Sequence, residues 1–179
     1  MRPTESLEKL AAGLRASPDE AAHAAVAILI KPNDDDLELL LVKRAEVPGD
    51  PWSGDMAFPG GKQMPSDRSL VDTAAREALE ETGIDLRSVE AVGFMESVQS
   101  SVRRTLSVQP IIYKLDEAPE VHLNYELTKY MWVPLTALRD SRAQAVVKGW
   151  EGPVFRVGCD VVWGLTYRML EKILEMLED

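Results

Sequence analysis

The chain has 179 residues, a length typical of one domain, and its 45% hydrophobic content is enough to form a sizeable core. Its formal net charge of −10 disfavours binding to nucleic-acid polymers and to anionic membranes, because like charges repel. A phosphorylated small molecule would meet the same repulsion unless a cation bridged it to the protein. If the ligand is phosphorylated, the composition therefore favours a metal-dependent site.

Cysteine and histidine usage narrows the kind of metal that the chain could bind. The single cysteine, Cys159, cannot form an internal disulfide, which suggests a reducing compartment, and we interpret it as a packed thiol. Because the only histidines are His23 and His122, a structural zinc site is strongly disfavoured. Any metal should therefore be a hard cation held by carboxylates.

The sequence has no features of a membrane protein or of a secreted one. No apolar run approaches the roughly 20 residues that are needed to cross a bilayer. The N-terminal segment 1–16 carries several charged residues and lacks a signal-peptide core. We therefore predict a soluble cytoplasmic protein that has no membrane partner.

Hydrophobic periodicity predicts helices and strands that alternate along the chain. The run 23–30 is continuously apolar and rich in Val and Ile, which is typical of a buried strand. In chain order we predict a short helix that ends at 17–19, strands at 23–30 and 37–44, a short strand at 56–58, a helix at 69–82 capped by Gly83, strands at 89–96, 105–115 and 130–134, a short helix at 135–140, a strand at 153–156 and a final helix at 165–177. Because these elements mingle without a linker or repeat, we predict one α/β domain over 1–179 with a mixed sheet between helices.

A long loop follows the strand 37–44 and ends in Phe58-Pro59-Gly60-Gly61, which we interpret as a turn. Loops of this length inside a compact domain are usually functional or disordered, and the aromatic residues here favour function. The glycines allow the backbone to approach a ligand or a metal closely. Trp52 is a candidate to stack on a substrate base, although it could equally anchor the loop against the end of the sheet.

Three acidic side chains lie on one face of the helix predicted at 69–82. Glu77, Glu80 and Glu81 stand at positions i, i+3 and i+4. Like charges at this spacing cost about 0.2–0.5 kcal/mol per pair in an isolated helix. A bare acidic triplet would most simply be a solvated face, but the glycine-rich segment just upstream favours a site for one or more divalent cations.

These residues resemble the signature of the Nudix hydrolase family, written G-x5-E-x7-R-E-U-x-E-E-x-G-U, where U is a bulky aliphatic residue. The signature positions are filled in order by Gly61, Arg76, Glu77, Glu80, Glu81, Gly83 and Ile84. Asp67 stands where the family has Glu, and eight residues rather than seven separate it from Arg76. Ala78 is smaller than the usual aliphatic residue. In this longer spacing the chain resembles the branch of the family that includes the coenzyme A diphosphatases.

The resemblance to that branch reaches beyond the signature, which we take as residues 61–84. The segments LVKR, MWVPL and VWGLT are also similar to it, so the resemblance spans roughly residues 24–175. The branch carries a second arginine upstream of the signature, and this chain has Gly49 or Asp50 there. That difference leaves the substrate open among coenzyme A, ADP-ribose, a dinucleotide and a nucleoside triphosphate.

Resemblance to this family implies an α/β/α sandwich with a mixed central sheet. It also implies Mg²⁺- or Mn²⁺-dependent hydrolysis of a diphosphate bond in a small nucleoside-diphosphate derivative. By the same resemblance Glu80 and Glu81 bind the metal, and Glu80 takes part in catalysis. Glu77 is a further ligand or the general base, and the Gly61 carbonyl joins the metal shell. A homodimer is expected by analogy alone.

Other residues receive roles from the same resemblance. Arg76 should orient a carboxylate through a bidentate ion pair. Glu126 is a candidate for an additional acid, although it could also be a plain surface glutamate. Arg103, like its neighbour, is a cation that could meet phosphates or simply lie at the surface. The residues expected to contact the substrate are Arg44, Trp52, Phe58, Gly60 and Arg104.

Two other kinds of function compete with the hydrolase. A catalytically silent member of the family could serve as a ligand sensor or an interaction module, but such proteins usually lose the glutamates that are present here. An acidic cation-binding or scaffold protein is the other alternative. The glycine-rich segment at the right distance from the acidic helix speaks against it.

Overall fold

Strands and helices alternate along residues 2–178, which are the residues that the computed structural model describes. The elements are α1 (Pro3–Gly13), β1 (Ala24–Asn33), β2 (Asp36–Arg44), β3 (Met56–Ala57), β4 (Gly60–Lys62), α2 (Leu70–Thr82), β5 (Ala91–Phe94), β6 (Val98–Gln99), β7 (Ser107–Lys114), β8 (Leu127–Pro134), α3 (Leu135–Asp140), β9 (Arg142–Val147), β10 (Trp150–Val157), β11 (Asp160–Val162) and α4 (Gly164–Glu178).

The main sheet is mixed, as the sequence predicted. Strand β1 pairs in parallel with β7 and antiparallel with both β2 and β4. Strand β2 continues the sheet to β8 and to the short β3, while β7 continues it to β5 and β6. The signature segment therefore enters the sheet through β4 and leaves it through α2.

Alternate residues of β1 belong to two different cores, which explains why the whole run is apolar. Ile28 and Ile30 pack with α1 and α4 on one face of the sheet. Ala25 and Ala27 pack under α2 on the other face, where their small side chains let the helix approach. Helices on both faces of a mixed sheet make an α/β/α sandwich, so the predicted fold class is confirmed.

A second, three-stranded sheet in the order β11-β10-β9 was largely missed by the sequence analysis. Only part of β10 was predicted, as a strand at 153–156. Strand β9 alternates between exposed and half-buried positions and buries no apolar face, so no hydrophobic pattern marks it. Its hairpin with β10 turns at Lys148 and Gly149, whose φ angles are 50° and 80°.

Several local predictions need correction. Gly60 and Gly61 do not form a turn but lie in β4, which pairs with β1. Strand β8 begins at Leu127 rather than at residue 130, because it follows β2 along its full length. Cys159 is exposed at the β10–β11 turn and is not a packed thiol.

Residues 2–178 contain no helix that is long and apolar enough to span a membrane. The single-domain boundaries, a homodimer and a cytoplasmic location stay predictions from the sequence.

Candidate active site

Helix α2 carries the acidic triplet and is held at both ends. The Ser69 hydroxyl accepts a hydrogen bond from the Asp72 amide at 3.1 Å, which caps the first turn. Gly83 ends the helix in the left-handed conformation with φ 73°, as predicted. Ala74 and Ala78 are fully buried against the sheet. Glu81 lies near this buried stripe, where an apolar side chain would be expected, and it is buried too.

The Arg76 guanidinium organises the start of the site. Its Nε and Nη2 each donate to one oxygen of Asp67 at 2.9 Å, which is the bidentate geometry predicted for this arginine. Its Nη1 donates to Glu77 Oε1 at 2.9 Å, and its Nη2 also reaches the Lys62 carbonyl at 3.1 Å. Arg76 therefore ties β4 and the following loop to α2.

Asp67 is a charged carboxylate whose negative charge is balanced by Arg76. The hydrogen bonds from Arg76, with help from the Met64 amide and the Thr73 hydroxyl, lower the pKa of Asp67 to about 2. The acid that stands where the family has Glu thus serves as the partner of Arg76.

Glu81 has the opposite surroundings. Burial, together with the negative charges of Glu77 and Glu126, raises the pKa of Glu81 to about 8. The carboxyl groups of Glu77 and Glu81 also share a hydrogen bond, while the charge of Arg44 offsets only part of the effect. The structure therefore brings Glu126 within electrostatic range of the acidic helix, although sequence alone left it equally balanced with a surface residue.

The glycines of β4 have no room for a side chain. A Cβ on Gly61 would lie 2.3 Å from Glu77 Oε1, and a Cβ on Gly60 would lie 2.4 Å from the Ala25 carbonyl oxygen. The close approach predicted for both glycines is thus present, but its cause is strand packing rather than a turn.

The acidic residues fit a divalent cation in their chemistry. Glu81 is a buried carboxylate beside two other carboxylates, and hard oxygen donors of this kind are the ligands that Mg²⁺ prefers. Within residues 2–178, however, no three acidic, histidine or cysteine side chains form a ready-made cluster around one point. Of the three helix glutamates, Glu80 is turned furthest toward solvent. Its carboxylate is 56% exposed and lies 3.4 Å from Arg76 Nη1.

A cleft of about 250 Å³ opens beside the acidic helix and reaches Gly60 and Gly61. Its walls are mostly apolar, and they come from the loop 45–55, from β3 and β4, from the segment 100–108 and from the start of α4. Of the residues predicted to contact substrate, four line it: Arg44, Trp52, Phe58 and Gly60.

The fifth predicted contact, Arg104, does not line the cleft. Its side chain is exposed, and its carbonyl accepts a hydrogen bond from Gln99. The neighbouring Arg103 lies over the Trp52 ring instead, 5.1 Å from the ring centroid. Neither arginine lines the cleft, but Arg103 contacts a residue that does.

Two residues of the cleft had no signal in the sequence. The Trp163 indole nitrogen donates to Asp55 Oδ1 at 3.0 Å across the cleft wall. The sequence analysis used the VWGLT segment only for its similarity to one branch of the family, and it gave Asp55 no role. Their contact joins positions 108 residues apart in the chain, so no local pattern could have revealed it.

Arg44 lines the cleft, and its positive charge also acts on Glu81. Its Nη2 donates to Asp50 Oδ2 at 2.9 Å. Its Nε is buried and has no hydrogen-bond partner within residues 2–178. Such a donor is free to meet an anionic ligand.

Comparison with known proteins agrees with this geometry. The NUDIX domain family profile matches residues 21–151, so the chain belongs to the Nudix family. A Nudix hydrolase named NudL from Photorhabdus laumondii is 32% identical over 169 residues, which cover 89% of this chain and 87% of that protein. The human mitochondrial coenzyme A diphosphatase NUDT8 is 31% identical over 134 residues, covering 69% and 56% of the two chains.

Solved structures agree on the fold. The MutT protein of Methanosarcina mazei superposes with a TM-score of 0.60 at 23% identity, covering 87% of this chain and 94% of that one. The protein is thus a Nudix hydrolase, a class of enzyme that acts on diphosphates and in general uses divalent metal ions.

Proposed function

We propose that this enzyme hydrolyses the diphosphate bond of a small nucleoside-diphosphate derivative, with coenzyme A as the first candidate and Mg²⁺ or Mn²⁺ as the metal. One observation carries the proposal. Gly61 lines the cleft and at the same time lies directly against the Glu77 carboxylate. A ligand whose organic part fills the cleft would therefore present its diphosphate to the acidic helix.

The proposed metal ligands are Glu77, Glu80 and Glu81, with the Gly61 carbonyl as a further donor. When bound, Mg²⁺ supplies positive charge that neutralises and orients the phosphate oxygens. The burial of Glu81 beside Glu77 supports this assignment, because a buried group of like charges is stabilised by a cation. Arg76 Nη1 donates to Glu77 Oε1 at 2.9 Å and so orients this carboxylate.

The general base is proposed to be Glu126 or Glu77. Glu126 is exposed and lies near enough to Glu81 for its charge to raise the Glu81 pKa. Glu77 is already ion-paired with Arg76 at 2.9 Å, so one of its carboxylate oxygens is occupied. This difference favours Glu126 as the group that accepts a proton from the attacking water.

Arg44 is proposed to bind a phosphate oxygen. Its buried, unpartnered Nε and its place in the cleft lining support this role. Trp52 and Phe58 supply the apolar walls that would hold the organic part of the substrate. Arg103 over Trp52 adds positive charge at the edge of the cleft.

Two observations favour coenzyme A over the alternatives. The spacing between Asp67 and Arg76 is longer by one residue than the family signature, and in this the chain resembles the branch that includes coenzyme A diphosphatases. The human mitochondrial coenzyme A diphosphatase NUDT8 is 31% identical to this chain. The alternative substrates are ADP-ribose, a dinucleotide and a nucleoside triphosphate. The mostly apolar walls of the cleft could also hold the organic part of any of these.

The test is a hydrolysis panel of these compounds with Mg²⁺ or Mn²⁺, with product identification by mass and heavy-oxygen water to locate the attacked phosphorus. We expect coenzyme A to give the highest kcat/KM. Glu80→Gln and Glu81→Gln should each lower turnover of the true substrate while the fold is retained. A protein that binds these compounds without turning any of them over would instead be a silent ligand sensor.

A further inference from the structure

The tip of the β9–β10 hairpin touches the loop that walls the cleft. We call residues 45–55 the cleft loop. The Lys148 ammonium donates to the carbonyl oxygens of Pro51 and Ser53 at 3.1 Å and 2.8 Å, and to Asp55 Oδ1 at 2.8 Å. One side chain of the second sheet therefore satisfies three acceptors of the cleft loop.

Lys148 occupies a backbone position that suits other residues better. Both tip residues are left-handed, with φ 50° at Lys148 and 80° at Gly149. Tight hairpin turns of this kind favour Asn, Asp or Gly at the first position, because at positive φ the Cβ of other residues crowds the backbone, whereas Gly lacks a Cβ and Asn and Asp can hydrogen-bond locally. A lysine at this position weakens the turn, so its presence requires an explanation beyond the turn itself.

The cleft loop has no regular secondary structure and forms part of the cleft wall. Short turns shape its tip, as in Ser53 N to the Asp50 carbonyl at 3.1 Å, and Gly54 N donates to the Ala45 carbonyl at 3.3 Å across its base. Pro51, Trp52 and Asp55 of this loop line the cleft. Any movement of the loop therefore changes the shape of the cleft.

Asp55 is the point where three parts of the molecule meet. Its Oδ1 accepts from Lys148 of the hairpin and from the Trp163 indole of the segment before α4. Trp163 in turn lies 5.6 Å from Trp150 of β10, ring centroid to centroid. The Lys148 ammonium also lies 5.8 Å from the Trp163 ring, within cation–π range.

We propose that Lys148 is a positioning residue that holds the cleft loop against the second sheet and so sets the shape of the substrate cleft. Lys148 does not itself line the cleft, so it acts through Pro51, Ser53 and Asp55 of the cleft loop rather than by touching substrate. This inference rests on the proposed function only in taking the cleft as the substrate site. It accounts for the lysine at the left-handed position and gives the second sheet a role in the enzyme.

The test uses Lys148→Asn and Lys148→Gly, which both suit the turn and remove the ammonium. We expect a melting temperature equal to or above that of the native protein, so loss of folding cannot explain the result. Amide hydrogen exchange across residues 46–55 should become faster by about tenfold or more, and KM should rise about tenfold with kcat within about twofold. Lys148→Arg keeps the positive donor and should restore most of both properties.

Asp34→Asn is the matched control, since Asp34 is also left-handed at φ 40° but lies in the β1–β2 turn outside the cleft lining. It should leave both exchange and KM unchanged. Unchanged exchange across 46–55 in both Lys148 variants would overturn the proposal, as would equal losses in the Asp34 control. If the native protein hydrolyses none of the panel, the proposed function fails, while the exchange measurement still decides whether Lys148 holds the loop.

Discussion

Two buried carboxylates in this molecule have opposite surroundings. Asp160 of β11 accepts hydrogen bonds from Lys43 at 2.7 Å and from Lys129 at 2.5 Å, and these lysines lower the pKa of Asp160. Glu81 of α2 is equally buried but lies beside the carboxylates of Glu77 and Glu126, and its pKa is raised. The chain thus supplies cations to one buried acid and further acids to the other.

The comparison separates an acid that the fold itself pairs with cations from one that it does not. A buried charge is tolerated when a partner of opposite sign satisfies it, and Asp160 meets that condition within the fold. Glu81 does not meet it, since Arg44 offsets only part of the repulsion. A buried acid without its own cation is a strong candidate to bind one from solution.

The largest expected effect is on turnover. Glu81→Gln should lower kcat roughly 1000-fold, because the variant loses a proposed ligand of the metal that neutralises the phosphates, and this charge stabilisation is worth several kcal/mol. Steady-state kinetics with saturating Mg²⁺ measures it. Asp160→Asn is the matched control and should keep kcat near the native value, since Asp160 contacts lysines outside the cleft lining. Native turnover by Glu81→Gln would remove the distinction between the two acids.

A smaller effect is expected at Asp67, which holds Arg76 and acts on the site only through it. Asp67→Asn should lower kcat or the apparent metal affinity by about 10–100-fold, the usual loss when a group that orients a metal ligand is removed. Asp67→Glu restores the family's residue and should recover much of the activity. Titration of activity against Mg²⁺ concentration checks both variants. If Asp67→Asn behaves as the native enzyme, the ion pair with Arg76 is structural only.

The pH dependence of stability should have opposite signs at the two kinds of acid. The pKa of Glu81 is raised from 4.5 to about 8 in the folded protein, so the folded state binds the extra proton and metal-free stability falls as pH rises through this window. One such group gives a slope of at most about 1.4 kcal/mol per pH unit. Urea unfolding in the presence of a chelator, from pH 4.5 to 8, measures the slope.

The stability that Asp67 contributes changes with pH in the opposite direction. Its pKa is lowered from 3.8 to about 2, so its contribution to stability is present above pH 3.8 and is lost as pH falls toward 2. Glu81→Gln should therefore remove the loss of stability between pH 4.5 and 8 while leaving the acid-side loss in place. An unchanged slope in Glu81→Gln would show that another group causes it.

The smallest effect is expected for the stability of Asp160→Asn. Removing the carboxylate leaves Lys43 and Lys129 without their partner and should lower the free energy of unfolding by about 1–2 kcal/mol. The loss stays below the roughly 3–5 kcal/mol of a fully buried pair, because both ammonium groups are partly exposed to water. Urea unfolding at neutral pH measures it, and a gain in stability would contradict the reading of Asp160 as a structural acid.

The sequence by itself determined the fold class and the core of the candidate site. The apolar run of β1 and the capped helix α2 are local patterns, and each is dictated by burial on a sheet or helix face. Glu77, Glu80 and Glu81 share a helix face because of their spacing alone. The family followed from the same segment, because its signature lies within residues 61–84.

Only the tertiary structure decided which acids are paired with cations and which contacts shape the cleft. Asp67 is paired with Arg76 across nine residues, while Lys148 reaches Asp55 across 93 and Trp163 reaches Asp55 across 108. Strand β9 and the choice of Arg103 over Arg104 also depend on packing between distant segments. Local propensity and periodicity describe neighbours within a turn or two, so contacts between distant parts of the chain leave no pattern for them to detect.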